Sequence, residues 1–496
     1  MSKYDIVIIG SGLGGLECAT ILSKEGYNVC VVEKNPIFGG CLQSFKRGGL
    51  LLDTGIHYVG SMDNGQILNQ YFNYFGLLPR LKMKRLDNDA FDVVCYEGQE
   101  YNYAQGYGNF ADTMATYFPD EERNIRKYTA EIEKICTLIS VENLKKGIIH
   151  NDGLSYFQMS ASRMIDQSVD NEKLRNILAG TATLYGGMRD YSTLYHHAVI
   201  SGSNLEGAYR FLDGSQQVAD ELIDIIKTNG GTVRASAEVT RMVVENGKIT
   251  GVEINHLERI EANYFISNIH PKRTFELVDK TNSIKKAYLT RINSLQNSYG
   301  LFSVYLILKK NKFPYINRNY YLHGGNDSWC SAENRNAGEV KFALLSSQAT
   351  GNCAYSEVVT VLCPMDISEI AKWNNTTVNH RGADYEEFKQ RKTEEILNFV
   401  FRYKPELKGC IDKIYTATPL TYRDYTATAD GSAYGIMKNC NSLLTTLIPT
   451  RTKIENLYLT GQNLNVHGAL GVTLTAALTC AEFLGTEYLA KKIGGV

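Results

Sequence analysis

The stretch that decides the fold is YDIVIIGSGLGGLECATILSKEGYNVCVVE, which runs from Tyr4 to Glu33. Its opening run, Tyr4–Ile9, is short and rich in β-branched residues, as is typical of a buried parallel strand. The next six residues, Gly10–Gly15, match G-x-G-x-x-G, and an apolar helical pattern follows them. A second β-branched run, Val29–Val32, comes directly before the acid. This order of strand, glycine turn, helix, strand and acid predicts a dinucleotide-binding βαβ unit.

Each part of this unit has a mechanical reason. Gly10 permits the tight turn, Gly12 lets the backbone approach a pyrophosphate, and Gly15 lets the helix pack closely on the strand. The N-terminus of the helix presents N–H groups and a positive dipole end to phosphates. Glu33 can accept hydrogen bonds from a ribose diol, and its charge disfavours the 2′-phosphate of NADP. The unit alone does not separate FAD from NAD.

Length and composition limit the classes of protein to consider. The chain has 496 residues, of which 44% are apolar and 21% charged, and its formal net charge is −1. This length predicts two or three domains, and the near-zero charge creates no general attraction for nucleic acid. No signal-peptide pattern opens the chain, and no run of about twenty apolar residues occurs. We expect a cytoplasmic protein and leave open both peripheral contact with a membrane and the oligomeric state.

The cysteine and histidine patterns favour a protein without a metal site. The chain has 11 cysteines and no Cys-x-x-Cys pair. Several cysteines lie within apolar patterns, which predicts buried thiols in a reducing compartment; they are Cys18, Cys30, Cys95, Cys136, Cys363 and Cys480. The neighbouring His196 and His197 point in different directions on any regular element, so they are poorly placed to share a metal ion.

The segment after Glu33 carries a family resemblance. It reads NPIFGGCLQSFKRGGLLLDTGIHYVG (Asn35–Gly60), with a glycine pair, a hairpin-like stretch and the pattern Asp53-x-Gly55. It resembles the phytoene desaturase, carotenoid isomerase and all-trans-retinol 13,14-reductase (retinol saturase) family of FAD-dependent oxidoreductases. The resemblance implies that the glycine pair lies along FAD. Amine oxidases of similar fold have an arginine after this pair, whereas this chain has Cys41, which favours the desaturase–saturase branch.

A second block of resemblance lies near the C-terminus. TKIENLYLTGQ (Thr452–Gln462) is similar to the family's second FAD motif, with Gln462 at the position where an acid is usual. A strand would deliver Gly461 to the cofactor, and the following NLNVHGALGV would lead into a helix reaching about Leu484. The dipole of such a helix would stabilise negative charge on a reduced flavin.

The middle of the chain predicts further elements. Gly214-Ser215 can cap a helix that ends near Asn229, and strands are expected over 232–235, 239–245, 248–255 and 260–267. The resemblance implies that the backbone at Val239 reaches the adenine edge, and a plain strand valine is the equal alternative. The run Ile67–Leu78 is apolar on more than one face, which fits either an entrance for a lipid or an ordinary core helix.

The expected architecture is α/β (α+β overall). The resemblance implies a Rossmann-like FAD-binding domain of the amine oxidase/phytoene desaturase type, formed by residues 1–85, 206–275 and 415–496. A mixed α+β substrate domain, formed by 86–205 and 276–414, would be inserted into it and lie over the flavin face. A substrate pocket at such a domain interface is common. Near the return of the chain, Tyr422, Arg423 and Tyr425 are pocket candidates, with surface-loop residues as the alternative.

The resemblance implies a set of cofactor-binding residues. They are Gly10, Gly12, Leu13, Gly14, Gly15, Glu33, Lys34, Gly39, Gly40, Cys41, Gly55, Ile56, His57, Val239, Gly461, Gln462, Gly468, Gly471 and Val472. Saturating a conjugated double bond also needs a proton at the carbon beside the one that accepts hydride. By position, the proton donors to consider are His57, Tyr58 and His467, and each could equally be a structural residue.

The predicted function is that of an FAD-dependent oxidoreductase acting on C=C bonds of a hydrophobic polyene or isoprenoid, most like a saturase. NAD(P)H is a candidate electron donor, although only one complete dinucleotide fingerprint is visible. A desaturase or isomerase would share the architecture. Two further alternatives are an amine oxidase-like flavoenzyme and a flavin-free protein that escorts lipids.

Overall fold

The computed structural model of the chain describes residues 4–144, 151–329, 339–350, 354–428, 430–442 and 446–495. Two seven-stranded sheets organise these residues. The strands are β1 (Tyr4–Ile9), β2 (Val29–Val32), β3 (Ser44–Arg47), β4 (Leu50–Asp53), β5 (Met83–Arg85), β6 (Asp92–Tyr96), β7 (Gln99–Tyr103), β8 (Tyr209–Phe211), β9 (Thr232–Arg234), β10 (Val239–Glu245), β11 (Lys248–Ile254), β12 (Glu258–Ser267), β13 (Gly300–Leu308), β14 (Asn319–His323), β15 (Phe342–Ser347), β16 (Val358–Met365), β17 (Ile411–Ala417) and β18 (Leu457–Leu459).

Helices surround both sheets. They are α1 (Leu13–Lys24), α2 (Ile67–Phe75), α3 (Tyr107–Tyr117), α4 (Glu122–Cys136), α5 (Val141–Leu144), α6 (Asn151–Gln158), α7 (Ala161–Ser168), α8 (Glu172–Leu178), α9 (Leu194–Glu206), α10 (Gln216–Thr228), α11 (Pro271–Leu277), α12 (Lys286–Asn293), α13 (Ala383–Tyr403), α14 (Pro419–Thr426), α15 (Gly468–Leu484) and α16 (Thr486–Gly494).

The first sheet joins the two ends of the chain. Its strand order is β10-β11-β12-β1-β2-β9, and β18 pairs with β12 off this path. The strands β2, β1, β12 and β18 are parallel, with Ile6 opposite both Val29 and Tyr264, and with Phe265 opposite Leu457. Parallel strands end at the same edge of a sheet, which is where α/β folds bind ligands. The residues after β1, β12 and β18 therefore meet at one edge.

The second sheet has the order β17-β13-β16-β15-β14-β6-β7. All its pairs are antiparallel except β14 with β6. Its two faces pack in different cores, because successive side chains of a strand point to opposite faces. Leu344 belongs to the core that also contains α1 and α9, whereas its neighbour Leu345 packs with Phe399 and Val400 of α13. The first of these faces looks toward the first sheet.

Most sequence-predicted elements are confirmed. The strands at 29–32 and 239–245 have the predicted bounds, and α15 ends at Leu484 as expected. Ser215 is the N-cap residue of α10 as predicted, but its side chain accepts no capping hydrogen bond and instead donates to the carbonyl oxygen of Leu42. Residues Ile67–Phe75 of this segment form α2, and the burial of Leu68, Tyr71, Phe72, Tyr74 and Phe75 favours the core-helix interpretation over the lipid entrance.

The strands follow the predicted division of the chain, with one exception. β1 to β4, β9 to β12 and β18 lie in ranges assigned to cofactor binding, while β6, β7 and β13 to β16 lie in the inserted ranges. β17 (Ile411–Ala417) crosses the predicted boundary after residue 414 and belongs to the second sheet. The division into two domains stays a prediction.

The predicted thiols at positions 18, 30, 95, 136, 363 and 480 are free and buried. No helix among the described residues is long and apolar enough to cross a membrane. Within the same part of the chain, no cluster of three or more His, Cys, Asp or Glu side chains has the arrangement of a metal site.

Candidate active site

A cleft of about 570 Å³ lies between the edge of the first sheet and the inner face of the second. Its volume falls within the usual range for small-molecule sites, roughly 300–1,000 Å³. At one end the wall is the glycine turn after β1, and at the other it is made of aliphatic side chains. The cleft thus connects a backbone-rich end to an apolar end.

The glycine turn has the geometry that the sequence predicts. Gly10 has φ of +93°, and a Cβ added at Gly15 would lie 2.2 Å from the carbonyl oxygen of Gly10. Gly12 forms a bridge with Gly39, so the predicted glycine pair lies against the turn. No side chain caps the N-terminus of α1, whose N-cap residue is Gly12. The turn therefore presents backbone to the cleft.

Asn268, which the sequence analysis missed, packs under this turn. It follows β12 directly, and its backbone N–H donates to the carbonyl oxygen of Ile9 over 2.9 Å. A Cβ added at Gly14 would lie 2.9 Å from its side-chain oxygen, and one at Gly461 would lie 2.4 Å away. Asn268 therefore occupies the junction of the N- and C-terminal segments. Its position at the carboxyl end of a strand beside β1 is the signal that could have identified it.

Glu33 lies at the end of β2 and lines the cleft. Its Oε2 accepts hydrogen bonds from the backbone N–H of Ser11 over 3.0 Å and from the Ser11 hydroxyl over 2.7 Å. Its Oε1 accepts from the backbone N–H of Asn35 over 2.9 Å. These contacts fix the carboxylate beside the glycine turn, as the βαβ pattern requires.

The C-terminal block lies beside the opening βαβ unit. A Cβ added at Gly14 would lie 3.1 Å from a methyl carbon of Val472 and 3.2 Å from the Cα of Gly461. Helix α15 packs along α1, and no side chain caps its N-terminus at His467. Two uncapped helix N-termini, those of α1 and α15, therefore contribute residues to the lining of one cleft.

Two buried residues that were not predicted as site residues form hydrogen bonds with the backbone of the loop between Gly461 and α15. Lys438 Nζ donates to the carbonyl oxygens of Asn463 and Leu464 over 2.8 and 3.0 Å. His196 Nε2 is 2.8 Å from the carbonyl oxygen of Asn465. Burial lowers the pKa of Lys438 to about 7. No motif marks either residue, because each reaches the loop only through long-range packing.

The three predicted proton donors all line the cleft. Burial, followed by repulsion from Arg210, lowers the pKa of His57 to about 4. Burial, followed by repulsion from Lys438, lowers the pKa of His467 to about 3. Both imidazoles are therefore neutral near pH 7, which disfavours them as acids. Within the described residues, His57 Nε2 and His467 Nδ1 have no hydrogen-bond partner.

Tyr58, the third predicted proton donor, forms hydrogen bonds with two other buried side chains. Its hydroxyl lies 2.8 Å from Asp92 Oδ2 and 2.5 Å from the hydroxyl of Tyr321. Burial and the neighbouring carboxyl of Asp92 raise the pKa of Tyr58 well above its ordinary value, so the phenol keeps its proton.

The predicted pocket residues Tyr422, Arg423 and Tyr425 line the cleft, but they belong to a helix that closes it on the side of Glu33. The Arg423 guanidinium donates to the carbonyl oxygens of Asn374 and Thr376, so its polar atoms are used by the protein. Lys34 Nζ donates to the carbonyl oxygen of Asp424 over 2.7 Å, which ties α14 across the cleft.

Most of the predicted cofactor-binding residues line the cleft; these are Gly10, Gly12, Leu13, Gly14, Glu33, Lys34, Gly39, Gly40, Cys41, Gly55, Ile56, His57, Val239, Gln462, Gly468 and Val472. Gly15, Gly461 and Gly471 lie behind the lining. An added Cβ at Gly471 would lie 2.6 Å from Val466, so this glycine is required for packing.

The apolar end of the cleft is a feature that the sequence analysis did not resolve. Leu301, Leu344 and Leu362 from three neighbouring strands of the second sheet form its floor, and Leu184 and Ile200 complete it. Which side chains face the cleft depends on the pairing of β13, β15 and β16, which no local pattern shows.

Comparison with known proteins gives a consistent result. A family model described as an NAD(P)-binding Rossmann-like domain matches residues 8–75. All-trans-retinol 13,14-reductase of Homo sapiens is 26% identical, across 97% of this chain and 85% of its own length. Prolycopene isomerase of Daucus carota is 23% identical, across 93% of this chain and 76% of its own length. A 4,4′-diapophytoene desaturase of Methylomonas sp. is 23% identical, across 62% of this chain and 61% of its own length.

Solved structures share the fold. An oxidoreductase from Methanosarcina mazei matches with a TM-score of 0.63 at 18% identity, covering 95% of this chain and 98% of its own. Wild-type putrescine oxidase bound to putrescine matches with a TM-score of 0.65 at 15% identity, covering 97% and 99%. The α/β fold of the amine oxidase and desaturase type is therefore confirmed, and so is the predicted resemblance to the saturase, desaturase and isomerase group.

Proposed function

We propose that this chain, a relative of retinol reductases, a desaturase and prolycopene isomerases, is an FAD-dependent oxidoreductase that acts on C=C bonds of a hydrophobic polyene or isoprenoid. The observation that carries the proposal is the continuity of the cleft. One cleft joins the glycine turn and Glu33 to the leucines of the second sheet. A nucleotide end and an apolar end in one cavity suit a cofactor and a lipid-like substrate placed next to each other.

The residues present fit FAD. The turn at Gly10–Gly15 would hold the pyrophosphate, because its backbone approaches the cleft and α1 has no side-chain cap. Glu33 would hold the ribose, and Gln462 would pair with hydroxyls of the ribityl chain. The uncapped N-terminus of α15 would stabilise negative charge. Bound FAD would supply two-electron transfer, and the chain supplies binding, orientation and electrostatics.

The substrate end favours a conjugated, apolar molecule. The leucines of β13, β15 and β16 would bind a hydrocarbon chain by burying its surface and excluding water. An isolated alkene accepts hydride poorly, whereas a polyene or enone spreads the developing charge. Tyr58 would hold a proton at its hydroxyl, at the wall of the cleft, and His57 and His467 would contribute neutral polar contacts.

Saturase chemistry is the version we propose, and desaturase or isomerase chemistry differs from it only in the supply of electrons. A saturase requires an electron donor, for which NAD(P)H is the first candidate. An amine oxidase-like activity is disfavoured by Cys41 after the glycine pair. An escort without flavin is disfavoured because the glycine turn, Glu33 and the block around Gly461 meet at one cleft.

The test begins with the purified protein. A yellow protein that releases FAD on denaturation supports the proposal, and a colourless protein that binds no added FAD refutes it. The flavin is then reduced anaerobically with NADH, NADPH or dithionite, and its reoxidation is followed with a panel of polyenes and enones. Reoxidation by a polyene or enone with formation of the saturated product supports saturase chemistry, whereas peroxide release with an amine would establish the oxidase alternative.

A further inference from the structure

A buried acid lies directly behind Tyr58. Asp92 is the first residue of β6, is 1% exposed and does not line the cleft. Its Oδ2 is 2.8 Å from the Tyr58 hydroxyl, which lies at the wall of the cleft. Asp92 is thus hydrogen-bonded to the cleft wall through a single phenol, and the proposed function gives it no task.

The surroundings of Asp92 can support both of its protonation states. Asn319 Nδ2 donates to Asp92 Oδ1 over 2.8 Å, and Arg210 donates to Asn319 Oδ1 over 2.6 Å. Arg210 is 2% exposed and, within the described residues, forms no direct ion pair. When Asp92 is a carboxylate, the side-chain amide of Asn319 therefore links it to the buried guanidinium of Arg210. The ionisable groups around the carboxyl are Tyr58, Tyr321, Tyr103 and Arg210.

Asp92, Tyr58 and Tyr321 form a chain of hydrogen bonds, and the donor and acceptor in this chain can exchange roles. When Asp92 is ionised, the Tyr58 hydroxyl donates to Oδ2, and the Tyr321 hydroxyl, 2.5 Å away, can donate to Tyr58. When Asp92 is protonated, the carboxyl can donate to Tyr58, which frees the phenol proton for a partner in the cleft. Burial raises the pKa of Asp92 to about 7, so both states are available near neutral pH.

We propose that Asp92 stores the proton that Tyr58 delivers into the cleft, acting as a positioning residue through the phenol. This inference rests on the proposed function. In the step, the Tyr58 O–H bond breaks and its proton forms a C–H bond at one substrate carbon. Bound, reduced FAD would be the electron donor and would supply the hydride for the neighbouring carbon. The Asp92 O–H bond then breaks and restores the phenol. Asp92 remains as a carboxylate opposite Arg210 and takes up a proton from water by the reverse path after product leaves.

The test compares Asp92→Asn and Tyr58→Phe with the matched control Asp87→Asn. Asp87 forms an ion pair with Arg318, and among the described residues no hydrogen bond or ion pair joins it to Tyr58. The reoxidation of reduced flavin by an enone is measured in single turnovers from pH 5 to 9. The reoxidation rate of wild type and D87N should fall as the pH rises through about 7, because Asp92 then loses its proton. D92N should be about 100-fold slower, the usual contribution of a general acid, and should lack this inflection while keeping its FAD.

A second readout does not depend on turnover. Infrared difference spectra of wild type should show a buried protonated carboxyl that titrates near pH 7, is absent in D92N, persists in D87N and shifts in Y58F. The proposal would be overturned if D92N kept the wild-type rate and pH inflection. It would also be overturned if the wild-type spectrum contained no carboxyl band that disappears in D92N. If D92N fails to fold, the titrating band and the rate loss in Y58F decide. If the protein binds no flavin, the proposed function fails, whereas the infrared titration still shows whether Asp92 holds a proton.

Discussion

The two walls of the cleft are built in opposite ways. The wall at the first sheet is mostly backbone: it comes from the turns after β1, β12 and β18, and glycines after β1 and β18 allow close approach. The wall at the second sheet is mostly side chain, with a leucine from each of β13, β15 and β16. The first wall suits a ligand that needs N–H groups and a helix dipole. The second suits one that has only apolar surface to bury.

This difference indicates which wall determines binding of the cofactor and which determines the choice of substrate. Added Cβ atoms at Gly12, Gly14 and Gly15 would lie within 3.0 Å of neighbouring atoms, so substitutions there should abolish cofactor binding. A side-chain wall can change shape by substitution, so the substrate should vary while the cofactor site persists. The first two predictions each perturb one wall and spare the other.

The largest effect is expected at the backbone wall. Gly15→Ala would place a Cβ 2.2 Å from the carbonyl oxygen of Gly10, so the helix must move off the strand. We expect a loss of about 1–3 kcal/mol in the free energy of unfolding and loss of bound FAD. Gly108→Ala in α3 is the matched control, because nothing lies within 4 Å of its added Cβ. Denaturant titration and flavin content are measured. Full FAD content with wild-type stability in G15A would contradict the first half of the comparison.

The second effect is expected at the side-chain wall. Leu344 lines the cleft, and its neighbour Leu345 faces α13 on the other side of the sheet. Leu344→Ala should raise KM for an apolar substrate about tenfold without loss of FAD. Leu345→Ala should leave KM unchanged but cost about 2–5 kcal/mol of stability. Steady-state kinetics and denaturation separate the two. Equal KM values in the two variants would remove the leucine wall from substrate binding.

A smaller effect is expected at His57, which lies between the walls. Its pKa of about 4 means that it is neutral at the pH of most assays, so it has no proton of imidazolium type to give. His57→Gln should lower the single-turnover rate by less than about tenfold, below the usual contribution of a general acid, and should leave the pH profile above 5 unchanged. Replacing His57 together with Tyr58 by non-ionisable residues should suppress turnover while FAD stays bound. Unchanged turnover in the double variant would exclude both residues.

The smallest effect concerns Glu17, which joins α1 to α15 through a 2.6 Å hydrogen bond with the Thr473 hydroxyl. Burial raises the pKa of Glu17 well above its ordinary value. The folded state therefore holds a proton that the unfolded state releases, and stability falls as the pH rises from the ordinary carboxyl pKa through the folded one. Glu17→Gln should flatten this decline in denaturant titrations between pH 4 and 9. The exposed Glu487→Gln should leave the decline intact, and an unchanged slope in E17Q would refute the assignment.

The same contrast explains what the sequence could predict. The turn Gly10–Gly15, the strand Val29–Val32 and Glu33 are neighbours in sequence, and local rules for turns and periodicity therefore identify them together. Gln462 was identified through the family resemblance. Nearly all of the backbone wall was predicted in this way, and the confirmed proximity of Gly461 to Gly14 shows that both blocks serve one cleft.

The residues that the sequence analysis missed depend on long-range pairing. Asn268 and Lys438 contact the cofactor wall from strand ends and loops without a motif. Leu344 is one of many leucines until the strand pairing assigns it a face. Arg423 was expected in the substrate pocket, but its guanidinium is used by carbonyl oxygens of a loop that no local pattern places beside it.

The pairing of β18 with β12 and the packing of α15 on α1 also affect the order in which this part of the protein can fold during synthesis. Domains usually begin to fold from the N-terminus as the chain is made. Here the βαβ unit emerges before β18, which pairs with β12, and before α15, which packs on α1; both arrive only when residues 457–484 have left the ribosome. The surroundings of the glycine turn therefore stay incomplete until that segment is available to pair. Cofactor binding would therefore follow, and not precede, the synthesis of residues 457–484.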